Sequence, residues 1–243
     1  MSDALFLAEA VDVPVGGVLR LDGAEGRHAS KVRRIRVGEA VLVADGRGNA
    51  VRGVTRLVGD GFIDVEVAEA LAETPRAHRW VAVQALAKGG RDELAVETLT
   101  ELGVDEIIAW QAARSVVRWD AKQAKGLAKW ASTVREAAKQ ARRFSVPDVG
   151  FATTREVCQR ISDAAQAFVL HETADSYLDT QPLVPSGDII FIVGPEGGIA
   201  PDELAVFADA GAAPVLVADH VLRTSTAGVV ALAQLQAMSR RSL

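Results

Sequence analysis

The stretch FIVGPEGGIAPDE, Phe191 to Glu203, ends an apolar run in Gly194, Pro195, Glu196, Gly197 and Gly198 before polar sequence resumes at Pro201-Asp202-Glu203. Three glycines in five positions let a backbone take positive φ and come within contact distance of a ligand. The alternative reading is a tight turn that only joins a strand to a helix. Neither the Lys-Ser/Thr pair of a phosphate loop nor a Gly-x-Gly-x-x-Gly spacing is present, so this is not a known phosphate cradle. Two other apolar runs stop in comparable places. VLHE leaves Leu170, His171 and Glu172, and VLVADHVLRTSTAG leaves Val217, Ala218, His220, Leu222, Arg223, Thr224, Ser225 and Ala227. In an open parallel sheet ligands sit beyond the carboxyl ends of the strands, so the three segments can form three edges of one pocket.

Other reactive side chains are sparse. His171 and His220 each stand alone beside a strand, where a satisfied structural histidine competes with a role as a base. Cys158, the single cysteine, has apolar neighbours at helical spacing and reads as core rather than nucleophile; it allows no internal disulfide. The four histidines are scattered without metal-ligand spacing, so no metal is expected.

The elements that would position these residues fall into two patterns. From Val18 to Val67, VLRLDG, EAVLVADG, AVRGVTRL and FIDVEV read as short alternating strands separated by Asp-Gly and Gly-Asp-Gly turns, which predicts a small β-barrel. It is interrupted by the basic, centrally helical EGRHASKVRRIRVGE. The polar EALAETPRAHRW, with Pro75, marks a boundary between domains at 1–72 and 76–243. Beyond it RWVAVQAL, DEIIAWQA, AFVLHE, DIIFIVG and APVLVAD read as strands. RDELAVETLTEL is a helix stopped by Gly103, Thr153 and Glu156 form a capping box, and a last helix runs from about Ser225 to Met238. A long helix over 120–143 is expected to bury Leu127, Trp130, Val134, Ala138 and Ala141 and to expose Lys122, Lys125, Lys129, Lys139, Arg142 and Arg143. Strand–helix alternation predicts an α/β domain, a mostly parallel sheet with helices on both faces.

With 243 residues, 49% of them hydrophobic, the chain can bury a substantial core. No apolar run approaches the roughly 18 residues that span a bilayer, and the N-terminus lacks the basic segment and apolar core of a secretory signal; no membrane association and a cytoplasmic location are expected. The net charge of −5 is unevenly spread: residues 76–147 hold thirteen Lys and Arg against eight Asp and Glu, residues 148–243 five against twelve. A basic middle third leaves an RNA partner open despite the acidic whole.

Taken in order, ALAKGGRDELAVETLTELGVDEI, ARSVVRW, REAAKQARRFSVPDV, VGPEGGIAPDE and HVLRTSTAGVVAL resemble the 16S ribosomal RNA uridine-N3 methyltransferases, the RsmE group of the SPOUT superfamily. RHASKVRRIRVGE resembles the family's His-containing segment in a PUA-like barrel. The resemblance runs through nearly the whole chain. It departs from the family pattern where Ala218 replaces a glycine and Ser225 a glutamate, which bears on the contacts of the third loop. It implies a deep trefoil knot in the carboxyl-terminal domain, against the rule that chains avoid threading loops. It also implies S-adenosylmethionine bound bent in the pocket, 16S rRNA or the small ribosomal subunit as partner, and a homodimer in which the small face of the last helix, Ala227, Gly228 and Ala231, takes part.

Under that resemblance the backbone around Leu170, Gly194, Gly198, Val217 and Leu222 encloses adenine, a flat group with a hydrogen-bonding edge. The cofactor site comprises Leu170, His171, Glu172, Gly194 to Gly198, Val217, Ala218, Leu222, Arg223, Thr224, Ser225 and Ala227. Methylation at N3 needs that nitrogen deprotonated and its Watson–Crick edge presented, so the uridine is unpaired or flipped out. Arg223 is the residue expected to steady negative charge on the uracil oxygens, its alternative being a structural ion pair. Glu196 either accepts the N3 proton or braces the loop. RNA capture is assigned to His28, Lys31, Arg33, Arg34, Arg36, Lys88, Arg91, Arg114, Arg142 and Arg143, against the alternative of a merely solvated face. Two other functions stay open: a ribose 2′-O-methyltransferase of the same superfamily, and a non-catalytic RNA-binding ribosome-assembly module.

Overall fold

The structure is a computed structural model that describes residues 3–241. The chain divides into two compact units, Met1–Pro75 with Ala138–Val146, and Arg76–Ala137 with Pro147–Leu243.

The first unit holds β1 (Ala4–Leu7), β2 (Val18–Leu21), α1 (Gly23–Arg27), β3 (Ala40–Ala44), β4 (Asn49–Gly59) and β5 (Phe62–Ala72). They form one five-stranded sheet in the order β1-β3-β4-β5-β2, with β1 parallel to β3 and every other pair antiparallel. Alternation does the folding here: Leu19 and Leu21, Val41 and Val43, Ile63, Val65 and Val67 point into one core with Phe6, while intervening residues meet water. The expected helix in the basic interruption is α1, continued by one π-helical turn over His28–Val32. That stretch buries Ala29 and Ile35 and leaves Lys31, Arg33, Arg34 and Arg36 exposed.

The second unit holds β6 (His78–Ala85), α2 (Arg91–Leu102), β7 (Glu106–Trp110), most of α3 (Gln123–Gln140), β8 (Asp148–Ala152), α4 (Thr154–Asp163), β9 (Gln166–Leu170), β10 (Gly187–Val193), α5 (Pro201–Asp209), β11 (Ala212–Val215) and α6 (Thr224–Arg241). Its six strands are all parallel, in the order β11-β9-β10-β6-β7-β8. Val81, Val83, Ile190 and Ile192 face α4 and α5 through Val157, Ile161 and Phe207; α2 and α6 pack on the other face, where Gly228 meets Val193 and Phe191. Local chemistry sets several boundaries. Gly90 and Gly103, both left-handed at φ 74° and 95°, bracket α2, and the Thr153–Glu156 capping box starts α4. Among the described residues no helix is long and apolar enough to cross a membrane.

Several expectations fail for identifiable reasons. The long helix begins as a 3₁₀ turn at Asp120–Lys122 and stops at Gln140, leaving Ala141 exposed. Lys139, expected on its solvated face, is 8% exposed and pairs with Glu25 at 3.1 Å. Gly228 and Ala231, expected in a face between subunits, are buried against this chain's own strands and helices. A Cβ at Gly228 would lie 3.0 Å from Val193 Cγ2, so the small residue serves internal packing. Strands β1 and β8 have no counterpart in the sequence reading.

Candidate active site

The order of the second sheet creates the site. β10 lies between β9 and β6, so the loops leaving β9, β10 and β11 emerge on one carboxyl edge next to the start of α6. They enclose a cavity of about 460 Å³, within the range of small-molecule sites. From β9 come Leu170, His171 and Glu172; from β10 come Gly194 to Gly198; from the β11 loop and the first turn of α6 come Leu222, Arg223, Thr224 and Ala227. Val217, Ala218 and His220 line an adjoining recess of about 70 Å³ that shares Leu170, Leu222 and Ala227 with the main cavity. Ser225 lines neither; it is buried on α6.

The glycines are required by geometry. A Cβ at Gly194 would fall 2.8 Å from Ile199 Cγ1, and one at Gly197 would fall 3.2 Å from both the Cβ and carbonyl oxygen of Arg114. Gly198 sits at φ +72°, where a side chain is strained. The loop is then pinned from behind. Thr224 Oγ1 donates to the Gly194 carbonyl at 2.8 Å and accepts from Gln84 Nε2 at 2.9 Å, tying β10, α6 and β6 together. Glu203, 6% exposed, accepts from the backbone N–H of Ala113 at 2.8 Å and of Ala200 at 3.3 Å. It thereby joins the loop after β7 to the start of α5.

Four charged side chains, Arg91, Glu172, Glu196 and Arg223, also line the cavity. Glu196 Oε1 accepts from the backbone N–H of Lys88 and from Arg91 Nη1, each at 3.1 Å. Arg114 Nη1 donates to the Gly197 carbonyl at 3.3 Å. Arg223 lines the cavity and makes no ion pair among the described residues. His171 Nδ1 lies 2.9 Å from Thr173 Oγ1. Tyr177 Oη donates to Asp219 Oδ1 at 2.7 Å, bracing the β11 loop from the β9–β10 connection. Cys158 is half-buried on α4, with Sγ 3.7 Å from the Val206 carbonyl and its thiol pushed up by burial, a poor nucleophile. Among the described residues no group of three or more His, Cys, Asp or Glu could hold a metal.

The ten residues assigned to RNA divide. Lys88, Arg91 and Arg114 stand at the cavity, in the second unit. His28, Lys31, Arg33, Arg34, Arg36, Arg142 and Arg143 belong to the first. There Lys31 pairs with Asp60 at 2.7 Å, and the His28 ring stands edge-on to Phe6. Sequence reasoning missed Gln84, Glu203 and Tyr177 as supports. The one available signal was a glutamine inside the apolar WVAVQA, a polar group that must find a buried partner.

Residues 74–236 match the family model described as RNA methyltransferase domain, and residues 21–67 that described as RNA methyltransferase PUA domain. Over 232 residues, 93% of this chain and 88% of the relative, the sequence is 44% identical to the ribosomal RNA small subunit methyltransferase E of Mycobacterium bovis. The crystal structure of that enzyme from Neisseria gonorrhoeae, bound to S-adenosyl methionine, superposes with a TM-score of 0.86 at 26% identity over 98% of both chains. A Legionella pneumophila methyltransferase in complex with the bound cofactor SAM gives 0.85 at 26% identity, again over 98% of both. The cavity thus sits in a chain that belongs to the ribosomal RNA small subunit methyltransferase E family of RNA methyltransferases.

Proposed function

We propose that the protein transfers a methyl group from S-adenosylmethionine to N3 of a uridine in the decoding region of 16S rRNA. The observation that carries this is the convergence of three strand-end loops on one backbone-lined cavity, in a chain whose relatives include structures holding that cofactor. The residues present suit the group. Gly194, Gly197 and Gly198 allow close backbone approach, Leu170, Ile199 and Leu222 supply apolar surface for adenine, and about 460 Å³ accommodates a bent nucleoside. When bound, S-adenosylmethionine supplies an electrophilic methyl carbon on a sulfonium.

The chain's own residues orient and stabilise. Thr224 and Gln84 hold the Gly194 carbonyl in place, which keeps the loop at one geometry; alignment for in-line transfer is the main catalytic demand. Arg223, at the cavity wall and without an ion pair among the described residues, is placed to hold negative charge on a uracil carbonyl oxygen once N3 has lost its proton. We read Glu196 as the brace rather than the base, because its Oε1 already ties the loop to the Lys88 N–H and to Arg91. His171 and His220 flank the cavity as structural groups. Lys88, Arg91 and Arg114 meet the RNA at the rim, while Lys31, Arg33, Arg34 and Arg36 with His28, Arg142 and Arg143 hold its phosphates elsewhere. Neutralising Arg33 and Arg34 together is expected to weaken RNA binding in a salt-dependent way and to leave cofactor affinity intact; unchanged RNA affinity in a filter-binding titration would remove them from the interface.

The same reading includes a division at 1–72 and 76–243, a PUA-like amino-terminal barrel, a trefoil-knotted carboxyl-terminal domain, a cytoplasmic location and a homodimer. The match of residues 21–67 to a PUA model supports the barrel. The placement of β10 between β9 and β6, which makes the chain return into a gap it left, supports the knot. Incubation with labelled S-adenosylmethionine and small subunits lacking the modification tests the activity. Label recovered as N3-methyluridine is the expected product; a 2′-O-methyl nucleotide, or none, overturns the assignment.

A further inference from the structure

A second cavity, of about 230 Å³, opens in the same unit and is not used by the reaction above. It is bounded by the rings of Trp119 and Trp130, the backbone of Gly89 and Gly90, and the side chains of Asp92 and Lys129. Its volume is below the roughly 300 Å³ at which drug-sized sites begin, so it admits one planar ring rather than a whole nucleoside. Arg91 lines the first cavity and Gly90 and Asp92 the second; a single turn of chain separates them.

The walls are those of a stacking site. Trp119 is half-buried, whereas Trp80, Trp110 and Trp130 are at most 3% exposed. Its ring is set in advance: a Cβ at Gly126 would fall 2.4 Å from it, Trp130 stands edge-on at 5.3 Å, Phe151 stacks at 6.2 Å between centroids, and its backbone N–H donates to Gln111 Oε1 at 2.8 Å, so a base would take only the part of the ring that the cavity leaves open. Gly89 and Gly90 are both left-handed, and a Cβ at Gly89 would meet nothing within 4 Å, so open space lies beside this backbone. Asp92 is 5% exposed. It accepts from the Glu93 N–H at 2.9 Å but only at 3.4 Å from the Ala87 N–H, leaving that second oxygen weakly held. Burial pushes its carboxyl up, and its weakly held Oδ2 can accept from a donor at a base edge. Lys129 is exposed at the lining and paired there with Glu93.

We propose that this slot takes one unpaired nucleobase of the RNA, a strand neighbour of the methylated uridine, stacked on Trp119 with its edge toward Asp92. The proposal rests on the methyltransferase reading. A strand that turns one base into the first cavity passes the second at an adjacent nucleotide, and stacking on an aromatic ring is how proteins hold splayed single-stranded bases.

All four tryptophans emit, so a quench is assigned to Trp119 by its loss in the Trp119→Phe variant. Full-length protein saturated with S-adenosylmethionine is titrated with a single-stranded pentauridylate, with binding followed in parallel by anisotropy of a labelled copy. Bound oligonucleotide is expected to quench the emission, and Trp119→Phe to abolish the quench while keeping affinity. Trp119→Leu is expected to raise KM for small subunits about tenfold or more, with kcat and cofactor affinity within about twofold, and Trp119→Phe to restore KM. Oligonucleotide that binds without quenching, or a Leu variant with unchanged KM, overturns the proposal. Should the Leu variant fail to fold, the titrations of the unaltered chain and of Trp119→Phe decide together. Intact N3 methylation with unquenched Trp119 sinks this slot only, whereas absent methylation sinks the reading beneath it.

Discussion

The two edges of the six-stranded sheet carry cavities of similar size and opposite chemistry. The one at the carboxyl edge, about 460 Å³, is lined by glycine backbone, apolar side chains and four charged groups: Arg91 and Glu196, which pair with each other, and Glu172 and Arg223, which make no ion pair among the described residues. The one at the amino edge, about 530 Å³, is lined by Arg79, Glu106, Asp148, Arg160, Asp163 and Asp188. There the charges satisfy one another: Arg79 reaches Glu106 at 2.8 Å, Asp188 at 3.2 Å and Asp148 at 3.4 Å, and Arg160 reaches Glu106 at 2.5 Å. Four adjacent strands, β10, β6, β7 and β8, are clamped by these pairs. The lesson is that volume does not make a site. An edge whose charges are mostly spent on each other has little to offer a ligand, while an edge of glycine backbone that leaves Arg223 without an ion pair among the described residues does.

Substitutions at the two edges should therefore separate binding from stability. The largest effect is expected from Gly194→Val, whose new side chain collides with Ile199; cofactor affinity measured by calorimetry should fall at least about a hundredfold, the loss a filled pocket gives. Arg223→Ala should lower kcat about a hundredfold, as loss of one charge-stabilising donor does, with cofactor affinity nearly unchanged. If affinity falls and kcat holds, Arg223 is a structural arginine. Glu196→Gln keeps the shape of the brace and loses its charge, so cofactor affinity should drop several-fold while single-turnover methylation at saturation stays the same. A collapsed single-turnover rate would instead make Glu196 the base. Smallest of all, Arg79→Met at the amino edge should cost about 1 kcal/mol in a urea melt, since Arg79 is 38% exposed and water screens its pairs. It should leave cofactor affinity unaltered, and altered affinity would show that the two edges are coupled.

Much of this arrangement was legible in the residues. Gly103 stops α2 where the helix was expected to end, the Thr153–Glu156 box starts α4, and the glycines of 194–198 marked the loop that lines the cavity. What escaped depends on partners far along the chain. Lys139 reads as solvated because its helix face is basic, and its pairing with Glu25, 114 residues away, accompanies its burial. Gln84 acquires a role only when Thr224, 140 residues on, folds against it. Gly228 and Ala231 look like an interface stripe until β10 and α2 are seen packed upon them. Strand β8, DVGFA, is five residues without strict alternation, too short for periodicity to separate from loop.

Hydrogen–deuterium exchange of the full chain, with and without S-adenosylmethionine, compares the two edges in one experiment. Added protection is expected in peptides covering 170–173, 194–200 and 216–224, with none at 76–79, 104–106, 147–149 and 186–188. Protection at the amino edge, or no change along the three carboxyl-edge loops at saturating ligand, would contradict the placement of the cofactor.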